Sequence, residues 1–463
     1  MTPPAPSLPP ALLQSLRDIL GDDLAVDPAS LQAHAGDNSW RRQLPAAVAS
    51  PRRIEQVQAV LAACNAHRVP VVARGTGTGT TGAAVPVPGS LALSLARMDA
   101  ILAIDPANRC AVVQPGVING DLQQALAPHG LFWAPDPSSF ASCSIGGNLA
   151  TNAGGPRAVR YGTSRDNVLG LKAVTAAGEL LVCGGPWTKD ATGYDLTHLL
   201  IGSEGTLAVI VEATLKLTPR APAQAGLRVF YDSAGSAAAA VARLMTQPVV
   251  PTVCEFLDGH SLALLRGNGA DVPAAGAMLL LDVDGRDEEL PDLLQAAATA
   301  CEGEGLLDID VATDGAARDR LWAARRALSP ALKTIAPGKI NEDVVVPVSQ
   351  IPALVAGVQA LSARCGLPIV TFGHAGNGNL HVNILYHPDD ADQNARAQAA
   401  LPQVFALVLE LGGTLSGEHG IGLAKRDFMA AAFNPATLAM MRAVKAAFDP
   451  AGILNPGKVL PPA

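Results

Sequence analysis

The chain lacks the features that mark several broad classes of protein. It has no dense run of lysine or arginine and a formal net charge of −8, which disfavours a nucleic-acid partner because such partners attract basic surfaces. No apolar run is long enough to span a bilayer, and no basic leader precedes an apolar segment at the N-terminus. We therefore expect a cytoplasmic protein that binds no nucleic acid, has no membrane span and reaches a membrane only through a partner.

The sequence also lacks clusters of cysteine residues. The seven cysteines are odd in number and show no CxxC spacing, which disfavours both a disulfide framework and an iron–sulfur cluster. Apolar residues, by contrast, make up 49% of the 463 residues. A chain of this length and composition can bury the cores of two or three domains.

The periodicity of the sequence divides it into two regions of different character. Helical spacing appears at residues 11–20 and 54–67, Asp27-Pro28 can begin a short helix, and VPVVA at 69–73 predicts a buried strand. Up to about residue 220, β-rich runs alternate with glycine clusters, which predicts a mixed sheet with helical insertions. Beyond that point, alanine-rich helices alternate with single strands, which predicts helices packed on an antiparallel sheet. The turn-rich end is expected to pack back onto the protein.

The segment RGTGTGTTG, residues 74–82, carries the densest glycine signal. Backbone without Cβ atoms can approach a diphosphate closely, and consecutive N–H groups can bind an anion. Gly77, Gly79 and Gly82 match GxGxxG, but that fingerprint requires a helix starting at the loop, and two prolines follow instead. We therefore reject a Rossmann fold and retain two interpretations, a phosphate-binding loop and a flexible surface loop.

Two further segments of small and polar residues follow, at 135–155 and 193–207. The first, PDPSSFASCSIGGNLATNAGG, predicts no ordinary core element and suits a backbone wrapped around a flat polar ligand. The second, GYDLTHLLIGSEGTL, leads into a strand. Three spaced segments of this kind indicate one large ligand contacted from several sides.

Two histidines flank a tight turn in the C-terminal half of the chain. In HAGNGNLHVN, residues 374–383, an Asn-Gly-rich turn joins two strand-like runs, so we predict a hairpin with His374 and His381 facing one another. Their Cβ atoms would lie about 5 Å apart, which suits two ligands of one metal ion. Glu418, in SGEHGIG, is the next carboxylate in a glycine setting and would complete a three-ligand site. The alternative is that each histidine is simply hydrogen-bonded.

The motifs, taken in their order along the chain, resemble those of two known domains. RGTGTGT, IGGNLATNAGG and GYDLTHLLIGSEGTLAVI resemble the FAD domain of the vanillyl-alcohol-oxidase (PCMH) type, whereas HAGNGNLHVN, SGEHGIG and FDPAGILNPGKVL resemble the C-terminal domain of FAD-linked oxidases. That pair occurs in D-lactate dehydrogenases, D-2-hydroxyglutarate dehydrogenases and the flavin subunit of glycolate oxidase. The resemblance implies an α+β protein with a helical segment (1–40), a two-subdomain FAD-binding domain (41–220), a substrate and metal domain with an antiparallel sheet (221–450) and a tail packing toward the flavin (451–463).

The resemblance also implies roles for single residues. FAD is expected to be non-covalent, because the first loop has neither histidine nor cysteine. Its predicted contacts are Arg74, Gly75, Thr76, Gly77, Thr78, Gly79, Pro135, Asp136, Ser138, Ser142, Gly146, Gly147, Asn148, Thr151, Asn152, Gly205, Ile210 and Asn455. The predicted ligands of a divalent metal ion, expected to be zinc, are His374, His381 and Glu418. The substrate is expected to contact Arg325, Asn383 and, with a shifted local spacing, Lys339, while His419 acts as the base.

The implied activity is oxidation of a D-2-hydroxy acid, of the D-lactate or glycolate class, to the 2-oxo acid. In this hypothesis the substrate chelates the metal ion through its 2-hydroxyl and a carboxylate oxygen, His419 removes the hydroxyl proton and hydride passes to flavin N5. Electrons would leave to an external acceptor, such as a quinone, a cytochrome, an electron-transfer flavoprotein or an iron–sulfur partner subunit. D-2-hydroxyglutarate as substrate, a flavin-binding partner subunit without activity, and a homodimeric assembly stay open as alternatives.

Overall fold

A computed structural model describes residues 7–462, without the side chains of Ser329, Pro330 and Lys333. Residues 1–6 of the predicted N-terminal segment and residue 463 of the predicted tail lie outside the described residues. The chain forms two compact units: residues up to 154, 162–220 and 418–463 make the first, and residues 155–161 and 221–417 make the second. This division differs from the predicted one after residue 417, because residues 418–463 pack with the first unit.

Helices and strands occur along the whole described chain. The α-helices are α1 Pro10–Leu20, α2 Pro28–Ala33, α3 Ile54–Ala66, α4 Asn119–Leu126, α5 Ile145–Thr151, α6 Ala158–Tyr161, α7 Leu196–Leu200, α8 Ala234–Thr246, α9 Gly259–Gly267, α10 Leu290–Cys301, α11 Gly315–Ile335, α12 Ile351–Cys365, α13 Ala391–Glu410, α14 Met429–Ala432 and α15 Pro435–Phe448. The strands are β1 Leu24–Ala25, β2 Ala47–Ala49, β3 Val71–Arg74, β4 Leu91–Ser94, β5 Ile101–Asp105, β6 Cys110–Val113, β7 Leu131–Phe132, β8 Val168–Val174, β9 Leu180–Gly184, β10 Val209–Lys216, β11 Thr218–Pro219, β12 Ala223–Tyr231, β13 Val253–Asp258, β14 Ala277–Gly285, β15 Leu306–Ala312, β16 Gly338–Val345, β17 Ile369–His374 and β18 Asn379–Tyr386.

The predicted N-terminal helices are confirmed, with α1, α2 and α3 at the expected places. Helix α1 buries Leu12, Leu16 and Leu20 along one face, as their spacing of four residues requires. Helix α2 begins where the carboxylate of Asp27 accepts the N–H of Ser30 at 2.9 Å. The predicted strand follows α3 as β3.

The first unit contains two larger sheets, where the sequence predicted a single mixed one. One sheet has the order β1-β2-β4-β3, with β4 parallel to both β2 and β3. The other has the order β5-β6-β10-β8-β9 and is antiparallel throughout. No helix lies between β3 and β4 in this described part of the chain, so the rejection of a Rossmann fold is confirmed.

The C-terminal tail packs onto strand β3 within the first unit. The N–H of Val71 donates to the carbonyl of Ile453, and the N–H of Asn455 donates to the carbonyl of Val71, both at 2.8 Å. Leu454 thereby forms a parallel bridge to Val71. The predicted return of the turn-rich tail to the protein is confirmed.

The second unit is built on a seven-stranded antiparallel sheet of order β15-β12-β14-β13-β17-β18-β16. Helices α9 and α11 pack on the face that carries Phe230, Leu257 and Phe372. Helices α8, α10, α12 and α13 also pack on the sheet and on one another. The predicted α+β arrangement is confirmed. Across residues 7–462, no helix combines the length and apolarity that a bilayer crossing requires.

Candidate functional site

The three glycine-containing segments line a common cavity in the first unit. Counted out to its open mouth it measures about 1450 Å³. The predicted cofactor residues that line it are Arg74, Gly75, Thr76, Gly77, Thr78, Gly79, Ser138, Gly146, Gly147, Asn148, Thr151, Gly205 and Ile210. The described lining does not include Pro135, Asp136, Ser142, Asn152 or Asn455.

Glycine is required where the first and second segments meet. A Cβ atom on Gly75 would lie 2.2 Å from Oγ of Ser144, and one on Gly146 would lie 2.5 Å from Cβ of Pro115. A side chain at position 75 would force the two segments apart, and one at position 146 would force the second segment away from the loop of Pro115. The segments therefore present closely spaced backbone to the cavity, as binding of a diphosphate and a flat ring requires.

Part of the second segment is the short helix α5, although composition predicted no regular element there. Ser144 begins the helix by accepting the N–H of Gly147 on its hydroxyl oxygen at 3.3 Å. Ile145 and Leu149 are fully buried on one face of the helix. The cap and this apolar pair explain why a glycine-rich stretch still forms a helical turn.

Arg74 brings a cation to the cavity wall. Its side chain is buried, and Nη1 donates to the carbonyl of Gly36 at 2.6 Å. Burial lowers the pKa of the Arg74 guanidinium, while the nearby Asp37 carboxylate opposes the shift. A guanidinium that is already partly desolvated suits an anionic phosphate group.

Glu418 and His419 line this same cavity, together with the glycine segments. Thr81, from the first segment, accepts the N–H groups of Leu423 and Ala424 on its carbonyl at 2.9 and 3.0 Å. Its hydroxyl donates to the carbonyl of His419 at 3.2 Å. The loop that carries the predicted base is therefore held by a glycine segment of the cavity.

Glu204 is a second anchor of that loop and was not predicted as a site residue. Its two carboxylate oxygens accept the N–H of Ile421 at 2.6 Å and the N–H of Gly422 at 2.8 Å. Its carbonyl accepts the side-chain amide of Asn455 at 2.7 Å, and that amide also donates to Ala83 at 2.9 Å. Asn455 thus binds two cavity-lining residues without itself lining the cavity. A glutamate between small residues in GSEGT was the available signal.

In the second unit, His374 and His381 lie on one face of the hairpin β17–β18. The register differs from the predicted one, because His374 pairs with Asn379 and His381 pairs with Phe372. The tight turn closes immediately after His374, with Gly378 at a φ of 72°, so the histidines are diagonal neighbours. Their ring centroids are 5.3 Å apart and their planes are nearly perpendicular, at 86°. Ring nitrogens of the two residues lie within 4.8 Å of one another, close enough to share an ion.

A fully buried carboxylate, Glu255 on β13, connects this pair to helix α11. One oxygen accepts a hydrogen bond from Nδ1 of His374, and the other accepts Nε of Arg325 at 2.7 Å. Burial raises the pKa of the Glu255 carboxyl, but His374 and Arg325 outweigh burial and hold that pKa well below its usual range. Arg325 also stacks over Phe372 at 4.9 Å from the ring centroid. Glu255 was not predicted as a site residue.

Asp343 on β16 is the cross-strand partner of His381. It is fully buried, and its oxygens accept the side-chain amide of Asn379 at 2.6 Å and the hydroxyl of Ser416 at 2.9 Å. It also accepts the N–H of Gly417 at 2.8 Å. The chain is therefore held in place immediately before the predicted third metal ligand.

Asn383 and Lys339 occupy the same face of the sheet. The amide nitrogen of buried Asn383 donates to the carbonyls of Val370 at 3.2 Å and His381 at 3.1 Å. Its oxygen, and that of its cross-strand partner Asn341, are buried with no hydrogen-bond partner among the described residues. Lys339 is two residues before Asn341 on β16 and is exposed. Unpartnered buried amide oxygens favour a site for a polar ligand.

Two family profiles match the chain. The profile described as "FAD binding domain" matches residues 45–184, and the one described as "FAD linked oxidases, C-terminal domain" matches residues 220–459. The chain belongs to the FAD-linked oxidases. The first profile contains the first two glycine segments of the cavity, so these segments belong to an FAD-binding domain.

This FAD-linked oxidase is similar, over most of its length, to proteins whose activity is named. It is 38% identical over 420 residues to the glycolate oxidase subunit GlcD of Bacillus subtilis (strain 168), which covers 90% of this chain and 89% of the relative. It is 37% identical over 465 residues to the D-2-hydroxyglutarate dehydrogenase of Stutzerimonas stutzeri (strain A1501), covering 97% and 99%. The protein is an FAD-dependent oxidoreductase of the class that acts on 2-hydroxy acids.

The fold of this oxidase is also found in a solved flavoprotein. The crystal structure of p-cresol methylhydroxylase with substrate bound superposes with a TM-score of 0.80 at 18% identity, covering 98% of each chain. At that identity the likeness concerns the fold alone. It confirms the predicted architecture of the vanillyl-alcohol-oxidase type.

Glu204 gives the oxidase a testable pH dependence of stability. Burial raises the pKa of its carboxyl from the ordinary 4.5 to about 7, although two backbone N–H groups and two lysines lower it. Between pH 4.5 and about 7 the Glu204 carboxyl is therefore protonated in the folded protein but ionised in the unfolded chain. We expect the free energy of unfolding of the wild type to fall, relative to that of Glu204→Gln, as pH rises from 4.5 to about 7.

Urea unfolding of the flavin-loaded protein at several pH values measures this slope. Glu55→Gln is the matched control, because Glu55 is an exposed carboxylate in the first turn of α3. Its stability curve should run parallel to that of the wild type. Parallel curves for Glu204→Gln as well would show that Glu204 has no raised pKa.

Proposed function

We propose that the protein oxidises a D-2-hydroxy acid of the D-lactate or glycolate class to the corresponding 2-oxo acid, with metal assistance and a histidine base. The observation that carries this proposal is that His419 and Glu418 line the FAD cavity. A base at this wall can act on a substrate that lies against the flavin. Bound FAD, held without a covalent bond, supplies the hydride acceptor at N5.

His419 is proposed as the general base. Its loop is held through Thr81 and Glu204, both of which line the cavity. A base with a fixed position needs little reorganisation to take the hydroxyl proton of the substrate. Removal of that proton favours departure of the hydrogen on the neighbouring carbon as hydride.

The residues of the second unit fit a divalent metal ion. His374 and His381 are both buried, and their ring nitrogens lie within 4.8 Å. His374 bonds Glu255 through Nδ1, an arrangement in which Nε2 is the ring nitrogen that would bind a cation. We propose these two histidines and Glu418 as ligands, since two imidazoles and a carboxylate suit zinc. Such an ion would polarise the substrate hydroxyl as a Lewis acid.

Arg325 and Asn383 are proposed to bind the substrate. A guanidinium matches the two oxygens of a carboxylate. Arg325 bonds Glu255 through Nε. Its terminal nitrogens have no hydrogen-bond partner among the described residues. The unpartnered amide oxygen of Asn383 can accept a hydrogen bond from the substrate hydroxyl.

D-2-hydroxyglutarate is a second candidate substrate, and Lys339 is the observation that favours it. The lysine shares a sheet face with Asn341 and Asp343 and is exposed. A cation there could attract the second carboxylate of a dicarboxylic acid. For either substrate we propose that electrons leave to an external acceptor, namely a quinone, a cytochrome, an electron-transfer flavoprotein or an iron–sulfur partner subunit.

Anaerobic bleaching of the flavin absorbance tests the proposed function. We expect glycolate, D-lactate or D-2-hydroxyglutarate to bleach the flavin, while the L-enantiomers of the chiral acids do not. Prior removal of the metal with a chelator should slow the bleaching, and added Zn²⁺ should restore it. Reduction by L-acids alone, or bleaching at the same rate after proven metal removal, would contradict the proposal.

A further inference from the structure

We propose that Glu255 is a positioning residue that sets the orientation of both His374 and Arg325, and thereby couples metal binding to recognition of the substrate carboxylate. The proposal rests on the proposed metal-assisted function. In this role the buried carboxylate of Glu255 orients one proposed metal ligand and one proposed substrate-binding residue at the same time.

The geometry of Glu255 supports this role. Strand pairing places it directly opposite His374 on the neighbouring strand. One carboxylate oxygen accepts from Nδ1 of His374, and the other accepts from Nε of Arg325 on α11. The side chain is fully buried, so neither oxygen is exposed to bulk solvent. Both carboxylate oxygens are therefore used to orient site residues.

Each contact has a chemical consequence. A hydrogen on Nδ1 of His374 fixes the ring tautomer and leaves the lone pair of Nε2 for a metal ion. A bond to Nε of Arg325 fixes the plane of the guanidinium and leaves its terminal nitrogens for a carboxylate ligand. One carboxylate thus orders two different partners of the substrate.

The same sheet face offers a matched comparison in Asp282. This carboxylate on β14 is also buried and also holds α11, by accepting from Arg318 and from the indole N–H of Trp322. It has no hydrogen bond to a histidine among the described residues. If Glu255 merely anchored α11, removal of either carboxylate would have the same effect.

The test compares Glu255→Gln with Asp282→Asn in the FAD-loaded protein. Zn²⁺ is removed and then titrated back against a chromophoric chelator. We expect the Kd for Zn²⁺ to rise about 10- to 100-fold in Glu255→Gln and to change little in Asp282→Asn. At saturating Zn²⁺ we expect kcat of Glu255→Gln to recover, while KM for the acid that reduces the wild type stays about tenfold raised.

The split between kcat and KM separates positioning from loss of structure, because a damaged fold would not recover one parameter alone. Glu255→Asp serves as a second variant if Glu255→Gln does not fold. It keeps the charge but is too short to hold both partners, so it should show the same split. An unchanged Kd and KM in the Glu255 variants, or equal shifts in Asp282→Asn, would overturn the inference alone. Wild-type bleaching that is indifferent to Zn²⁺ would overturn the proposed function and the inference together.

Discussion

We expect His419→Asn to slow flavin reduction by the 2-hydroxy acid about 10²- to 10⁴-fold, the usual contribution of a general base. Asparagine is similar in size but cannot take a proton at neutral pH. FAD content should be unchanged, because the loop is held through the carbonyl of residue 419 and the N–H groups beyond it. Anaerobic stopped-flow measurement of single-turnover reduction gives the rate directly.

His67→Asn is the control for this experiment. His67 lies in the first unit as well, but it is exposed at the end of α3. Its replacement should leave both the reduction rate and the FAD content unchanged. Single-turnover reduction by His419→Asn within a few-fold of the wild-type rate would remove His419 from the mechanism.

His381→Ala should abolish metal binding and lower the reduction rate about 10³-fold. Loss of one of three ligands leaves a site too weak to hold a divalent ion, and Lewis-acid assistance contributes several kcal/mol to such reactions. FAD should remain bound, because the FAD cavity is lined by residues of the first unit and His381 belongs to the second. Elemental analysis, the flavin spectrum and stopped-flow reduction report the three quantities separately.

His387→Ala is the matched control for His381→Ala. His387 follows the end of β18, six positions after His381, and its side chain is exposed. Removal of this histidine should leave the metal content at the wild-type level. A His381→Ala variant that keeps its full complement of metal would disprove the ligand assignment.

The hairpin shows how far local sequence rules reach. The alternation of apolar residues around an Asn-Gly-rich turn correctly predicted two strands with both histidines on one face. The exact pairing was not accessible, because the length of the turn decides the register. With the turn limited to residues 375–378, His374 pairs with Asn379, and the histidines become diagonal neighbours.

The glycine segments also show what local sequence patterns can and cannot predict. Small residues and glycines identified segments that line a common cavity, because close approach of backbone to a ligand requires residues without bulky side chains. The sequence did not reveal that Thr81 and Glu204 would hold the loop of His419. Thr81 and His419 are 338 positions apart, and no local pattern encodes a contact over such a distance.

Residue types and their spacing alone were sufficient to predict the α+β class, the glycine segments and the two histidines of the hairpin, since these depend on periodicity and backbone freedom over a few residues. Only the folded chain showed that Glu255 joins His374 and Arg325. The partners of that carboxylate lie 119 and 70 positions away. A buried glutamate in an apolar strand has no local explanation, because its burial becomes favourable only when strand pairing and helix packing bring both partners to it.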